Sequence, residues 1–256
     1  RGPKDSFTEN IVVNQGLIRK RIKDPNLYFE ELFVGRRTKT KVNIAYLSDV
    51  ADQERVKQLK ERLQEIDIDG ILDSGNLRSF LNPQKSAFPK MLSTERPDYV
   101  CGYLLEGKIA IFVENTPFVL LFPTVFTDFF HTPGDYYQKS YNVNFSRFLR
   151  IFGFLITLLV PAAYVAIMTY NPEMIPDKLF ISVAVQREGV PFPTAIEILM
   201  LGITFELLRE CDLRVPSKMG TAISVVGGLV LGEAAVNAGI VSPFAVIIVA
   251  ITSIAG

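Results

Sequence analysis

Polar and charged positions dominate the first 150 residues of the chain, and apolar runs dominate the rest. No charged residue lies between Arg150 and Glu173. The apolar run at 151–169 has roughly the 20 residues that a helix needs to cross a hydrocarbon core about 30 Å thick. Since a charge at the centre of a bilayer costs at least ~2.5 kcal/mol, this uncharged run indicates a membrane span.

The change in hydropathy predicts an α/β soluble domain followed by an all-α, multi-span transmembrane domain that is truncated in this sequence. We expect the soluble domain at 1–132, a linker at 133–147 and the transmembrane helices at 148–256. The linker is rich in tyrosine, which favours membrane interfaces. Because the chain starts with Arg1 and ends inside an apolar run, we expect it to be an internal piece of a longer protein.

Apolar spacing in the soluble part changes between helical and strand periods, which predicts a small α/β domain with partly antiparallel strands. Residues 6–22 form the first predicted helix, with Asp5 or Ser6 as its cap. Two further helices are predicted at 52–66 and 69–81, and strands at 41–47, 100–105, 108–113 and 118–122.

The soluble part carries no P-loop, G-x-G-x-x-G or G-x-S-x-G motif, so the sequence predicts neither an enzyme nor a cofactor. His131 is the single histidine, and a loop position explains it better than a catalytic one. Asp67, Asp69 and Asp73 lack the pattern of a calcium loop, so no metal site is predicted. Basic and acidic residues are equal at 27 each, which argues against nucleic acid as a partner. The basic group at 36–41 fits either contact with membrane lipid headgroups or a solvated edge.

Four membrane spans are predicted, at about 148–170, 194–208, 218–240 and from 243 through 256 onward. Pro161 lies inside the first span and should kink or break that helix.

The distribution of lysine and arginine around the predicted spans indicates their orientation. One side carries Lys139, Arg147, Arg150, Arg209, Arg214 and Lys218, whereas the opposite loop carries Lys178 and Arg187. By the positive-inside rule, the soluble domain lies on the cytoplasmic side of the membrane.

Three glutamates in or near the predicted spans, Glu197, Glu206 and Glu233, are candidates for a pore or gate. Ionisable residues inside a membrane usually face a bundle interior or a water path. Glu197 and Glu206 are nine positions apart, so they point to opposite sides of one helix. An alternative for Glu206 is an interfacial ion pair with Arg209.

The polar segment at 186–193 adds Gln186, Arg187 and Glu188 to the pore and gating candidates. The segment is either a surface loop or a re-entrant loop. Irregular backbone at membrane depth is tolerated only where it is buried in protein or lines an aqueous cavity.

The third predicted span has a small residue at every fourth position, namely Gly220, Ser224, Gly228 and Gly232. Such a ridge lets helix backbones approach closely, so it predicts tight helix packing and favours a homo-oligomer. The pattern does not specify whether the partner helix belongs to the same chain.

Seven segments of the chain resemble segments of one known protein family. They are RGPKDSFTEN at 1–10, DIDGILDSG at 67–75, STERPD at 93–98, TPFVLLFPTVFTDFF at 116–130, PGDYY at 133–137, QREGVPFP at 186–193 and FELLRE at 205–210. In this order they resemble the A subunits of bacterial spore germinant receptors, the GerA family of GerAA, GerBA and GerKA type. The related SpoVAF branch shares the architecture, but the 186–193 segment is more similar to the receptor A subunits.

The resemblance implies residence in the inner membrane of a dormant spore and assembly with a transporter-like B subunit and a lipoprotein C subunit. It also implies that the A subunit oligomerises into a nutrient-gated ion channel, while the B subunit holds the nutrient. The resemblance marks no enzyme active site and assigns no pore residue. The glutamates and the glycine ridge therefore rest on the residue pattern alone.

Two other functions compete with the channel. A non-conducting scaffold that docks the B and C subunits predicts that Gly228→Leu disrupts assembly while Glu233→Gln changes nothing. The channel predicts instead that Glu233→Gln alters ion release with assembly intact. An ion-coupled transporter would show inverted repeats, and the predicted spans contain no such repeat.

Overall fold

The structure is a computed structural model that describes residues 3–81, 89–214, 228 and 230–255. It divides into two compact units, Arg1–Asn144 and Phe145–Gly256. The first unit is an α/β domain and the second is helical.

The α/β domain alternates helices with antiparallel strands. Its elements are α1 (Ile11–Arg21), β1 (Leu27–Val34), β2 (Thr40–Leu47), α2 (Gln53–Gln64), α3 (Ser74–Leu81), β3 (Leu92–Thr94), α4 (Pro97–Leu105), β4 (Ile109–Val113) and β5 (Val119–Phe122). Two short 3₁₀ helices follow, at Phe126–Phe130 and Pro133–Tyr137.

The five strands form one sheet in the order β1-β2-β4-β5-β3, with every neighbouring pair antiparallel. The central strand β4 is buried along its whole length, and β2 nearly so, because helices cover both faces of the sheet. One apolar layer joins the sheet to α1 and α4, and the other joins it to α2 and α3. The domain thus has a core on each side of a single sheet.

The predicted helices at 52–66 and 69–81 and the strands at 41–47, 108–113 and 118–122 are confirmed, with shifted ends. The first helix begins later than predicted, at Ile11. The side chain of Asn10 caps it by accepting hydrogen bonds from the N–H groups of Val12 and Val13 at 2.9 and 3.3 Å. Neither Asp5 nor Ser6 is the cap.

The strand predicted at 100–105 is wrong, because this segment belongs to helix α4. Pro97 occupies the first turn, where its fixed φ and missing N–H suit a helix start. The buried residues Tyr99, Val100 and Tyr103 then follow at helical spacing. A short apolar run does not distinguish a strand from a buried helix by periodicity alone. Strands β1 and β3 were not predicted.

The second unit consists of helices. α5 (Ser140–Tyr170) begins just before it, and α6 (Asp177–Arg187), α7 (Thr194–Arg214) and α8 (Pro243–Ala255) follow, with residues 230–237 also helical. Of the helices in the described part of the chain, α5 alone is both long and apolar enough to cross a membrane. α8 is apolar but has 13 residues. The multi-span arrangement stays a prediction.

Several predicted boundaries in this region differ from the structure. Part of the predicted linker is helical, since α5 starts at Ser140, and the segment between the first two predicted spans contains α6. α7 runs on to Arg214, so the predicted loop after the second span is helical up to that residue. α5 also continues through Pro161 without a break. Proline removes only one hydrogen bond of the helical ladder there.

Candidate functional site

The buried carboxylate of Glu197 is the centre of the candidate site. Glu197 lies in the first turn of α7 and is fully buried. Its Oε1 accepts a hydrogen bond from the backbone N–H of Ser242, which directly precedes α8. The surrounding core is apolar and includes Ile198, Leu201 and Ala245. A carboxylate in such surroundings is costly unless it is paired and hydrogen-bonded.

Arg187 supplies the opposite charge from the last turn of α6. Its Nε lies 3.8 Å from Oε2 of Glu197, and its side chain keeps 20% of its surface exposed while that of Glu197 keeps none. This separation makes an ion pair but exceeds a hydrogen bond. Nε of Arg187 and Oε2 of Glu197 are both buried without a hydrogen-bond partner among the described residues.

Ser242 and Glu197 together cap the start of α8. The Ser242 hydroxyl accepts a hydrogen bond from the N–H of Ala245 at 3.3 Å, while Glu197 accepts from the N–H of Ser242. In an ordinary capping box the second acceptor is a Glu or Gln at the third helical position. Alanine occupies that position here, so the carboxylate is provided by another helix. The start of α8 is therefore tied to the start of α7.

Helix dipoles favour this arrangement of charges. Glu197 lies at the amino-terminal ends of α7 and α8, where negative charge is stabilised, and Arg187 lies at the carboxyl-terminal end of α6, where positive charge is stabilised. Each such interaction contributes about 0.3–1 kcal/mol near a surface and more when partly buried. Three helix ends thus share one ion pair.

Tyr164 of α5 adds a fourth helix to the site. Its ring packs against Phe244 with centroids 5.7 Å apart, and its hydroxyl is buried close to Ser242. Tyr164 was not identifiable from the sequence, because a tyrosine within an apolar run resembles any other aromatic core residue.

The structure brings Arg187 and Glu197 together but leaves the other predicted charged or polar candidates at the surface. Gln186 and Glu188 are exposed, as is Glu233. Glu206 forms a surface pair with Arg209 at 3.7 Å, with 73% of each side chain exposed. Glu206 therefore makes the contact that the alternative predicted, an ion pair with Arg209.

Two of the four predicted small residues of the glycine ridge, Gly220 and Ser224, lie outside the described residues. Gly228 and Gly232 line a cavity of about 160 Å³ against α7. A Cβ on Gly232 would lie 3.8 Å from Cγ1 of Val246 in α8, which is ordinary contact. Close packing at Gly232 is thus with a helix of the same chain.

The acidic run of the α/β domain is engaged in contacts with the protein. Asp67 pairs with Arg36, Asp69 lies 3.9 Å from Arg37, and Asp73 accepts the N–H of Gly75 at 2.9 Å. The last bond lowers the pKa of Asp73. The part of the chain that the structure describes holds no group of residues suited to a metal ion.

A network of polar contacts fixes the segment that precedes α5. The buried carboxylate of Asp128 pairs with Lys108, and the carbonyl of His131 accepts a hydrogen bond from the Tyr99 hydroxyl at 3.1 Å. His131 contributes through its backbone here, which agrees with a loop position.

Asp98 holds the second 3₁₀ helix in the same way. It accepts hydrogen bonds from Tyr137 at 2.8 Å and from Arg96 at 2.6 and 3.1 Å. Burial alone would raise the pKa of Asp98, but these hydrogen bonds hold it below the ordinary value. The 3₁₀ helices are thus fastened to α4.

Comparison with known proteins identifies the family. The family model described as Bacillus/Clostridium GerA spore germination protein matches residues 1–256. The chain is 47% identical to spore germination protein KA of Bacillus subtilis (strain 168), over 100% of this chain and 47% of that protein. It is 46% identical to spore germination protein GerLA of Bacillus cereus, over 100% of this chain and 52% of that protein. The chain spans about half the length of these curated relatives.

A solved structure also matches the chain. It is the crystal structure of the N-terminal domain of the A subunit of the Bacillus megaterium spore germinant receptor GerK3, with 45% sequence identity and a TM-score of 0.40, and the match covers 48% of this chain and 98% of that one. Because the family model matches all of its residues, the chain belongs to the GerA family of spore germination proteins.

Proposed function

We propose that this chain is part of the A subunit of a nutrient germinant receptor in the spore inner membrane. The subunit crosses the membrane several times, with the α/β domain on the cytoplasmic (core) side. It oligomerises into a nutrient-gated ion channel and works with a transporter-like B subunit and a lipoprotein C subunit. Membership of the GerA family supports the role in germination, and the apolar length of α5 supports the membrane location.

The observation that carries the gating proposal is the buried pair of Arg187 and Glu197. Charged residues within a membrane-embedded helical unit are rare and usually functional. This pair connects three helix ends, so separating the charges releases α6 and α8 from the start of α7 together. Such a junction suits a switch between two discrete arrangements.

In this proposal the ion pair is intact in the closed state. Nutrient binding in the partner subunit favours an arrangement in which Arg187 or Ser242 no longer contacts Glu197. A ligand shifts such an equilibrium only by its differential affinity for the two states. Weakening the pair lowers the free energy needed to open, so less nutrient is required.

Potassium release from spores that carry Glu197→Gln in the full-length subunit tests the proposal. The amide keeps an acceptor for the N–H of Ser242 but removes the charge, so we expect release at lower nutrient concentration or without nutrient. Glu206→Gln is the matched control, since its carboxylate is exposed and, among the described residues, pairs with Arg209. Immunoblots of all three receptor subunits show whether assembly is intact.

The scaffold alternative predicts a different result. If Glu197→Gln and Glu206→Gln spores release potassium alike, with normal subunit levels, then the ion pair has no part in gating. Planar lipid recordings of the full-length oligomer separate the remaining cases. Absence of any conductance would favour a subunit that docks its partners without conducting.

A further inference from the structure

Helix α6 is apolar on two opposite sides. Its inner side carries the buried Val183 and packs towards α8. At about 100° per residue, Ile181 and Val185 lie on the side away from Val183. They are 60% and 64% exposed. A helix on the surface of a water-soluble protein normally presents polar residues on its outer side, so the outer side of α6 needs an apolar environment.

The position of α6 along the chain indicates what that environment is. α5 ends at Tyr170, and α6 begins at Asp177. Tyr170 is 80% exposed, as expected of an aromatic residue where a span leaves the bilayer. The connecting segment also exposes Met174, by 70%. α6 therefore starts close to the membrane face at which α5 ends.

The dimensions of α6 and its flanking residues fit the plane of the interface. Its 11 residues extend about 16 Å, which is too short to cross the hydrocarbon core. Lys178 is exposed close to the outer apolar side, so its ammonium group can reach lipid headgroups. The last turn is held to the protein through Arg187 and Glu197.

We propose that α6 lies in the membrane interface, with Ile181 and Val185 inserted at the boundary between lipid headgroups and acyl chains. The inference rests on the membrane location in the proposed function. In this position α6 contacts lipid along its outer side, while its last turn carries Arg187 of the buried ion pair. The helix thus connects the bilayer surface to the Arg187–Glu197 pair.

A bilayer fits this surface better than a protein partner does. A stable protein interface needs about 800 Å² from each side, and its energetic centre is rich in Trp, Tyr and Arg. The outer side of α6 offers a narrow aliphatic ridge without aromatic residues. Helices that lie in a membrane interface bury apolar side chains about 5–10 Å into the boundary between headgroups and acyl chains, with lysines directed to the headgroups.

Tryptophan fluorescence tests the proposal directly, because residues 1–256 contain no tryptophan and any tryptophan elsewhere in the full-length protein is first replaced by phenylalanine. Full-length protein is reconstituted into lipid vesicles with one introduced residue: Ile181→Trp, Val185→Trp or, as a matched control on the polar side of α6, Ser182→Trp. Leu158→Trp, at a 60% exposed position inside α5, reports the bilayer interior. Quenching is compared between lipids brominated near the headgroup and lipids brominated near the chain end.

We expect blue-shifted emission at 181 and 185 that is quenched most by lipid brominated near the headgroup, with less quenching at 182. Position 158 should respond most to lipid brominated near the chain end. Equal quenching at 181, 185 and 182 would overturn the interfacial position. Blue-shifted emission without quenching at 181 and 185 would assign this side to a protein partner and also overturn it. Absence of quenching at 158 as well would contradict the membrane location itself.

Discussion

Replacing Arg187 should destabilise the protein more than replacing Glu197. Arg187→Met leaves a fully buried carboxylate without its counter-charge, and breaking a buried pair in this way costs about 3–5 kcal/mol. Glu197→Gln leaves an arginine that still reaches solvent and keeps an acceptor for Ser242. That change replaces a charged hydrogen bond by a neutral one, which costs about 1–2 kcal/mol. Removing the arginine is therefore the more damaging change.

The double variant provides the decisive comparison. Once Arg187 is Met, neutralising Glu197 removes an uncompensated buried charge. We therefore expect Arg187→Met with Glu197→Gln to be more stable than Arg187→Met alone, by about 1–3 kcal/mol. Equilibrium unfolding of the full-length protein by SDS in mixed micelles, followed by circular dichroism, measures the free energy of unfolding for each variant.

The exposed pair Glu206 and Arg209 is the control cycle for this measurement. Both side chains are 73% exposed, so each single change should stay within about 0.5 kcal/mol and the coupling should be near zero. If the double variant at the buried pair is less stable than Arg187→Met alone, then burial does not govern this interaction and the reasoning is wrong.

Four predictions concern residues outside this pair. Gly107 has φ +83°, and a Cβ there would lie 2.9 Å from a backbone oxygen, so Gly107→Ala should lower the unfolding free energy by more than about 1 kcal/mol. Gly16→Ala, in open space within a helix, should raise it by up to about 1 kcal/mol. A maleimide at pH 8 should label the exposed Cys211 in the native protein but not Cys101, because burial shields the Cys101 thiol and raises its pKa to about 12. Both cysteines should be labelled after denaturation, and mass spectrometry of peptides measures the labelling at each. Because its pKa is lowered in the folded protein, Asp98 contributes stability above the ordinary aspartate pKa of about 3.9, and this contribution is lost as pH falls through the folded pKa. In Asp98→Asn the melting temperature should therefore change less with pH across this acidic range.

Local pattern predicted most of the α/β domain, because its helices and central strands carry their own periodicity. It failed at α4, where the run VCGYLL at 100–105 fits a strand equally well. It also missed β1, an edge strand whose polar residues Glu30 and Glu31 interrupt the apolar alternation. These elements are determined by contacts that the local sequence does not encode.

The candidate site was predictable only in part. The cost of placing a charge inside a membrane identified Glu197 as a candidate, and its place in the polar segment at 186–193 identified Arg187. Nothing in the sequence indicated that these two side chains are in contact. Their contact depends on α6, which was not predicted, and on the backbone of Ser242, which is invisible to a search for charged residues. Glu233 carried the same charge pattern as Glu197, yet it is exposed.

The shared cap at the start of α8 also affects the order in which this unit is assembled. The N–H of Ser242 is satisfied by a residue 45 positions earlier. During synthesis α7 emerges before α8, so the carboxylate is present before the helix that needs it. Until the two helices meet, that donor must bond to water or remain unsatisfied, which in hydrocarbon costs several kcal/mol. In the proposed membrane setting, docking of α8 on α7 is thus a condition for stable insertion of its first turn. A substitution that removes the acceptor, such as Glu197→Leu, should therefore lower the yield of inserted protein.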